Sequence, residues 1–353
     1  MTRVLVTGGA GFVGSHVVDA LADAGTQVRV LDVLHPSAHA GAPEYLRSDV
    51  EYVFGDVTDP SVVAEATSGM DAVSHQAAMV GLGVDFQDSP GYITNNDLGT
   101  AVLLAALHAS GFAGRLVLAS SMVVYGEGRY RCSTHGIVRA HPRARDDLDA
   151  GRFEPRCPRC SHELRPEPVG EDAPLDPRNV YAATKVHQEH LCSIFGREHD
   201  LPVAALRYHN VYGPRMPRDT PYAGVASIFR SALEARKAPL VFEDGNQHRD
   251  FVHVTDVAAA NAAALLRDQP VTGALNLASG TPRTVLELAQ ELHQAFGAGT
   301  PAPRVVGGYR PGDVRHVFAS TARAWQVLRW QPEINFDRGL REFAQAPLRQ
   351  SVG

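Results

Sequence analysis

The chain is poor in the features that would set it apart from ordinary globular proteins. It has four cysteines in 353 residues, too few for a disulfide framework. No stretch reaches the ~18 consecutive apolar residues of a membrane span, so no membrane partner is expected. Basic residues do not exceed acidic ones; 33 against 39 give a net charge of −6, and no footprint for nucleic acid. A strand-and-glycine pattern starts at residue 3, in MTRVLVTGGAG. That leaves no room for a leader peptide, and a cytoplasmic location is expected. What is present is 44% hydrophobic and 20% charged, a globular composition long enough for about two domains.

Short β-branched runs recur along the first half: RVLVT (3–7), TQVRVLD (26–32), VEYVFGD (50–56), DAVSHQAA (71–78), RLVLASS (115–121) and PVAALRY (202–208). Helical patterns run from Val13 to Leu21, Ile93 to Ala109 and Val180 to Phe195. Near-continuous apolar strands separated by helices are buried on both faces. The expected fold is therefore α/β: a Rossmann-type, doubly wound parallel sheet over residues 1–212. After about residue 213 the periodicity is mixed, with polar loops such as RMPRDTPY (215–222). Residues 213–353 are expected to form a smaller α/β substrate lobe, with some segments returning to the first domain. One stretch, 129–168, interrupts the rhythm. It is rich in Arg, Pro, Cys and His, and is too long for a structureless loop.

TGGAGFVG (7–14) places Gly8, Gly11 and Gly14 directly after a strand, with Phe12 and Val13 opening the following helix. Such glycines allow a tight turn and a close backbone approach, and the helix N-terminus offers N–H groups to a pyrophosphate. Asp32 follows eighteen residues after Gly14, where a carboxylate can accept both ribose hydroxyls and would repel a 2′-phosphate. NAD is thus expected over NADP. Asp56, in FGDVTD, ends the third strand with Val57 beside it and could reach the adenine.

Tyr181 and Lys185 form Y-x-x-x-K. On a helix these two positions share a face, and an ammonium near the phenol is expected to lower its pKa toward working pH. Ser121 ends an earlier strand.

With these features assembled, the chain resembles the extended short-chain dehydrogenase/reductases, specifically the NAD-dependent nucleotide-sugar epimerases and dehydratases. The resemblance extends through HQAA (75–78), NNDLGT (95–100), SSMVVYG (120–126), RYHNVYGPR (207–215), HRDFVHVTDV (248–257) and RPGD (310–313). It implies a tightly held NAD, with Tyr181 as catalytic base, Lys185 on the nicotinamide ribose and Ser121 on the reacting oxygen. It also implies that Ala77, Asn96 and Tyr208 border the cofactor. Met122, Asn210, Arg249 and Arg310 would contact a nucleotide-diphosphate sugar, the two arginines gripping its diphosphate. His209 stands where sugar epimerases often have Phe. Family members commonly form homodimers, here through 93–109 and 180–195.

The residues after Ser121 separate the possible reactions. Dehydratases of this group carry Asp-Glu there, because eliminating water needs an acid and a base. Here Met122 and Val123 can neither donate nor accept a proton. Epimerisation at C4 needs only the tyrosine, the lysine and retained NAD: oxidation to a 4-keto sugar, rotation, and reduction from the other face. Other readings are a UDP-sugar or UDP-uronic acid 4-epimerase, a 4-ketoreductase or dehydrogenase, and a non-enzymatic NAD-sensing scaffold.

Within 129–168, Cys132-x-x-His135 and Cys157-x-x-Cys160 stand twenty-one residues apart. Two such knuckles suit a tetrahedral structural Zn2+, whose binding energy can replace a missing core. His141 or His162 could take the place of His135, and Cys192 is expected in the core. Nine arginines lie in the segment, diluted by Asp146, Asp147, Asp149 and Glu154. It joins the Ser121 strand to the Tyr181 helix, as a lid on the substrate pocket would. Cys-x-x-His…Cys-Pro-x-Cys ahead of VGEDAPLDPRNVYAATK (169–185) also resembles a zinc-bearing subgroup acting on dTDP-6-deoxyhexoses such as dTDP-L-rhamnose, which implies a dTDP-6-deoxyhexose as the expected substrate ahead of the UDP-sugar readings.

Overall fold

The computed structural model describes residues 1–349 apart from 37, 82–84, 219–223, 298 and 311. Residues 219–222 of the polar loop and Pro311 of RPGD lie outside that set.

Seven parallel strands form the main sheet, in the order Gly273–Leu277, Val203–Tyr208, Arg115–Ser121, Ala72–His75, Arg3–Thr7, Gln27–Asp32, Glu51–Phe54. Alternate side chains of one strand feed two separate apolar layers, which is why the runs look continuous in sequence. Val4 and Val6 pack with Val17, Leu21, Val257 and Ala264, from the Phe12–Asp23 and Val254–Leu266 helices. Leu5, between them, packs on the other face with Val63, Leu103, Leu107 and Phe195, and Cys192 is buried in this layer. The chain leaves the central Arg3–Thr7 strand first to one side and then to the other. The carboxyl ends of the strands therefore open a crevice at that switch, where α/β sheets bind ligands.

A third cluster, including Phe229, Leu233, Leu288, Leu292, Leu340 and Phe343, builds the C-terminal lobe. Phe12, at the start of the first helix, packs against it. The segment 129–168 is not featureless. It holds a three-stranded antiparallel sheet (Arg129–Cys132, Gly136–Val138, Arg165–Glu167) and a short Arg145–Asp149 helix. Its apolar core is small: Tyr130, Cys132, Ala140, Cys157 and Leu164.

Candidate active site

The glycine turn is dictated by contact. Gly8 takes φ +67, and a Cβ there would lie 2.7 Å from the Ala77 nitrogen. A Cβ on Gly14 would lie 2.1 Å from the Gly8 carbonyl oxygen. Gly11 caps the helix without a side-chain acceptor, leaving the first-turn N–H groups at Phe12 and Val13 open to an anion. Asp32 is buried; its two oxygens accept from the Ala10 and Leu34 N–H groups at 2.9 and 2.8 Å. Asp56 shapes its own turn, accepting from Thr58 N and Oγ1 at 2.8 Å, and Val57 is buried behind it.

Arg349 enters this site from the far end of the chain, a residue that no sequence pattern marks. Its backbone bonds to Met216 and Arg218, and its Nη1 stands 3.9 Å from where a Gly11 Cβ would be. Its Nε and Nη1 are buried and have no hydrogen-bond partner among the described residues. A glycine cradle, open helix N–H groups and a guanidinium with two buried, unsatisfied nitrogens fit the pyrophosphate of a dinucleotide.

Asn96 lies in a π turn, Ile93–Leu98, that opens the expected 93–109 helix. Its carboxamide accepts from Met79 N at 2.8 Å and donates to Met79 O at 3.0 Å and Thr184 Oγ1 at 2.9 Å. It thus holds the strap after Ala77, whose own N–H donates to Thr7 Oγ1. Tyr208 is placed otherwise than expected. Its hydroxyl is buried against Asn261 and Gln76 at 3.0 and 3.1 Å, because its strand position points it into the core.

Asn179 caps the Val180–His199 helix by accepting from Ala182 N at 2.8 Å, which puts Tyr181 in the first turn. The Ser121 side chain, which accepts from Val123 N at 3.4 Å, lies near enough to the Tyr181 phenol to act on it. The Lys185 Nζ lies 5.9 Å from the Tyr181 ring centroid and donates to the Ala119 carbonyl at 2.8 Å. The lowered tyrosine expected from sequence is not found. Burial pushes Tyr181 up to about 12, opposed only by the neighbouring Ser121 side chain, and burial pulls Lys185 down to about 8. Met122 and Val123 follow Ser121 in a short 3-10 turn.

Beneath this group lies a buried pair that the sequence reading missed. Arg207 binds Glu189 through Nε at 2.9 Å and Nη2 at 2.8 Å, and donates to Tyr125 Oη at 2.8 Å. Tyr125 in turn donates to Asn276 Oδ1 at 2.7 Å. Glu189 follows Lys185 by one helical turn, which was the available signal.

Asn210 holds the next strand through Asp250 O, while its Oδ1 is buried without a partner among the described residues. His209 is buried, and burial lowers its pKa to about 3. The Arg249 guanidinium donates to the carbonyls of Val314, Arg315 and His248 at 2.7, 2.8 and 2.9 Å. Arg310 is exposed, its guanidinium 5.1 Å from the Phe242 ring centroid. Both arginines act electrostatically on Asp313.

The ligand atoms of Cys132, His135, Cys157 and Cys160 all lie within 4.8 Å of one another. His135 Nδ1 is 3.6 Å from Cys132 Sγ and 3.5 Å from Cys157 Sγ, and the Cys132 and Cys160 sulfurs are 3.6 Å apart. Tetrahedral zinc holds sulfurs about 3.8 Å apart and a sulfur and a nitrogen about 3.6 Å apart, whereas a disulfide is about 2 Å. His141 and His162 are exposed and outside the cluster. Several insertion arginines are paired, among them Arg131 with Glu167, Arg139 with Asp176 and Arg152 with Asp147. Among the described residues no helix is long and apolar enough to cross a membrane.

The model of the NAD dependent epimerase/dehydratase family matches residues 4–145 and 160–278. A dTDP-L-rhamnose 4-epimerase of Burkholderia thailandensis is 34% identical over 96% of this chain and 93% of its own. A UDP-glucose 4-epimerase of Thermus thermophilus, solved with NAD, is 31% identical with TM-score 0.77 over 97% of this chain and 98% of its own. A UDP-glucose 4-epimerase of Thermotoga maritima, solved with UDP-glucose, is 28% identical with TM-score 0.79 over 98% of both chains.

Proposed function

The chain belongs to the NAD dependent epimerase/dehydratase family, and from that premise we propose that it interconverts the C4 epimers of a nucleotide-diphosphate sugar. The observation that carries the reading is the grouping of Ser121 and Lys185 about the Tyr181 phenol, with Met122 and Val123 where an elimination would need its acid and base. Gly8, Gly11, Gly14, Asp32 and Arg349 would hold NAD, with Asn96 fixing the strap beside it. NAD, when bound, supplies the hydride acceptor and donor for C4. Tyr181 takes the proton of the sugar hydroxyl and later returns it, while Ser121 holds the reacting oxygen. Asn210, Arg249 and Arg310 keep the diphosphate in place while the sugar turns over. The buried Glu189–Arg207 pair fixes the strand end and the helix against each other.

UDP-sugars have the wider support for the nucleotide, since both of these solved relatives are UDP-glucose 4-epimerases. A dTDP-6-deoxyhexose is the second reading, favoured by the Burkholderia thailandensis enzyme. Incubation with UDP-glucose, UDP-glucuronate and dTDP-L-rhamnose, followed by NMR of the sugar ring, should show a C4 epimer with no net formation of NADH. Stoichiometric NADH would mean a dehydrogenase instead.

The cysteine–histidine cluster is read as a structural zinc site, supported by its near-tetrahedral spacing. Purified protein should carry one zinc per chain, and Cys160→Ser should lose it. A homodimer is supported by the exposed Ile93, Leu98 and Ile194 at 51%, 48% and 42%; light scattering would show twice the chain mass.

A further inference from the structure

The junction between the insertion and the C-terminal lobe is built from buried charge. Arg315, with 1% of its side chain exposed, pairs with Glu154 of the insertion at 2.6 Å, Glu243 at 2.8 Å and Asp244 at 2.7 Å. Arg143 of the insertion, 4% exposed, pairs with Glu243 at 2.8 Å and donates to Asp313 O at 2.7 Å. Glu154 also meets His316 Nε2 at 2.8 Å. The His316 N–H donates to the Tyr130 hydroxyl at 3.1 Å, and Tyr309 donates to Asp149 at 2.7 Å. Tyr130, Arg143, Asp149 and Glu154 of the insertion therefore grip a single stretch, 309–316, at backbone and side chain alike.

That stretch carries Arg310, and its carbonyls at Val314 and Arg315 hold the Arg249 guanidinium. Ions buried to this degree are maintained only where both partners are accurately placed, since removing one leaves the other uncompensated. Yet Arg143 and Glu154 lie between the two knuckles, in a span whose regular structure is one three-residue strand and one five-residue helix. Apart from the knuckle residues and Tyr130, the module's apolar cluster adds only Ala140 and Leu164, with Leu148 buried outside it. The fixed points on either side of the span are Cys132 with His135, and Cys157 with Cys160.

We infer that the metal-held insertion is the positioning element for the diphosphate-binding arginines: zinc occupancy sets how tightly the nucleotide diphosphate is held. This rests on the nucleotide-sugar reading above. The ion touches no substrate; it fixes the knuckles, the knuckles fix Arg143 and Glu154, and these fix the 309–316 stretch that carries Arg310 and holds the Arg249 guanidinium by its carbonyls. The glycine turn is not part of this chain of contacts, so NAD retention is independent of it.

The test uses full-length holoprotein with UDP and dTDP as calorimetric probes, alongside zinc content and bound NAD. Zinc removal by a chelator should weaken the diphosphate by about tenfold or more, the scale of one charge-assisted hydrogen bond, while NAD content stays the same. Zn2+ should restore binding and Mg2+ should not. Glu154→Gln guards against simple unfolding of the stripped protein. It should keep both zinc and NAD and still bind the probe at least several-fold more weakly; with the natural sugar substrate, KM should rise more than kcat falls. Unchanged probe affinity in both the zinc-free protein and Glu154→Gln overturns the inference while leaving the epimerase reading intact. Failure of the native protein to bind either nucleotide overturns the reading itself, and the inference with it.

Discussion

The Tyr181 phenol holds its proton more firmly than a base should, because burial pushes it up to about 12 and only the neighbouring Ser121 side chain opposes this. Each unit of pH below that value lowers the phenolate fraction tenfold, so the epimerisation rate should rise with pH through neutrality. Lys185 sets the other limit. Burial lowers it to about 8, so its charge beside the phenol fades above that pH. A rate profile that climbs and then turns over near pH 8 is expected, and Lys185→Arg should move the downturn to higher pH. Tyr181→Phe should lose ~10²–10⁴-fold in rate with bound NAD unchanged. Arg349 makes the opposite separation. Arg349→Ala removes the cation at the glycine turn whose Nε and Nη1 are buried and unsatisfied and should release NAD on gel filtration. Turnover should then be recovered when NAD is added in excess.

At the scale of elements, what the sequence revealed and what it hid have physical causes. The Arg115–Ser121 strand is legible to the residue, since its apolar run Leu116–Ala119 is buried on both faces. The Gly273–Leu277 strand went unseen: it is short, begins with Gly, and carries Asn276, a polar residue that reads as a turn. In the fold that asparagine is fully buried and bonded to Tyr125, Val169 and Ser320. The glycine triplet and Y-x-x-x-K could be found because their chemistry is local. Arg349 could not, because the fold alone brings it to Gly11. The Glu189–Arg207 pair joins helix to strand with 10% and 5% exposure and tests how far such contacts matter. Glu189→Gln leaves Arg207 buried without its counter-charge and should cost about 3–5 kcal/mol. Urea unfolding measures this, and replacing both residues by methionine should cost less than the single change.

For the whole molecule, acid sensitivity follows from histidines kept neutral inside the fold. His75 is 1% exposed, held between Thr7 Oγ1 at 2.7 Å and Thr100 Oγ1 at 2.9 Å. Burial, with the Lys185 charge adding to it, lowers its pKa to about 3, and burial lowers His209 to the same value. In the unfolded chain both titrate near 6.5. Between 6.5 and 3 the unfolded state therefore binds protons that the folded state does not, and stability must fall as pH falls through that window. Each histidine contributes about 1 kcal/mol of loss per pH unit below ~6.5. Urea midpoints measured at about pH 7.5 and 5.5 should drop accordingly, with little change between about 7.5 and 8.5 from these groups. His75→Gln can still bond both threonines but cannot be protonated. It should lower stability at about pH 7.5 and show a shallower decline toward about pH 5.5, and a decline as steep as that of the native chain would assign the acid sensitivity to other groups.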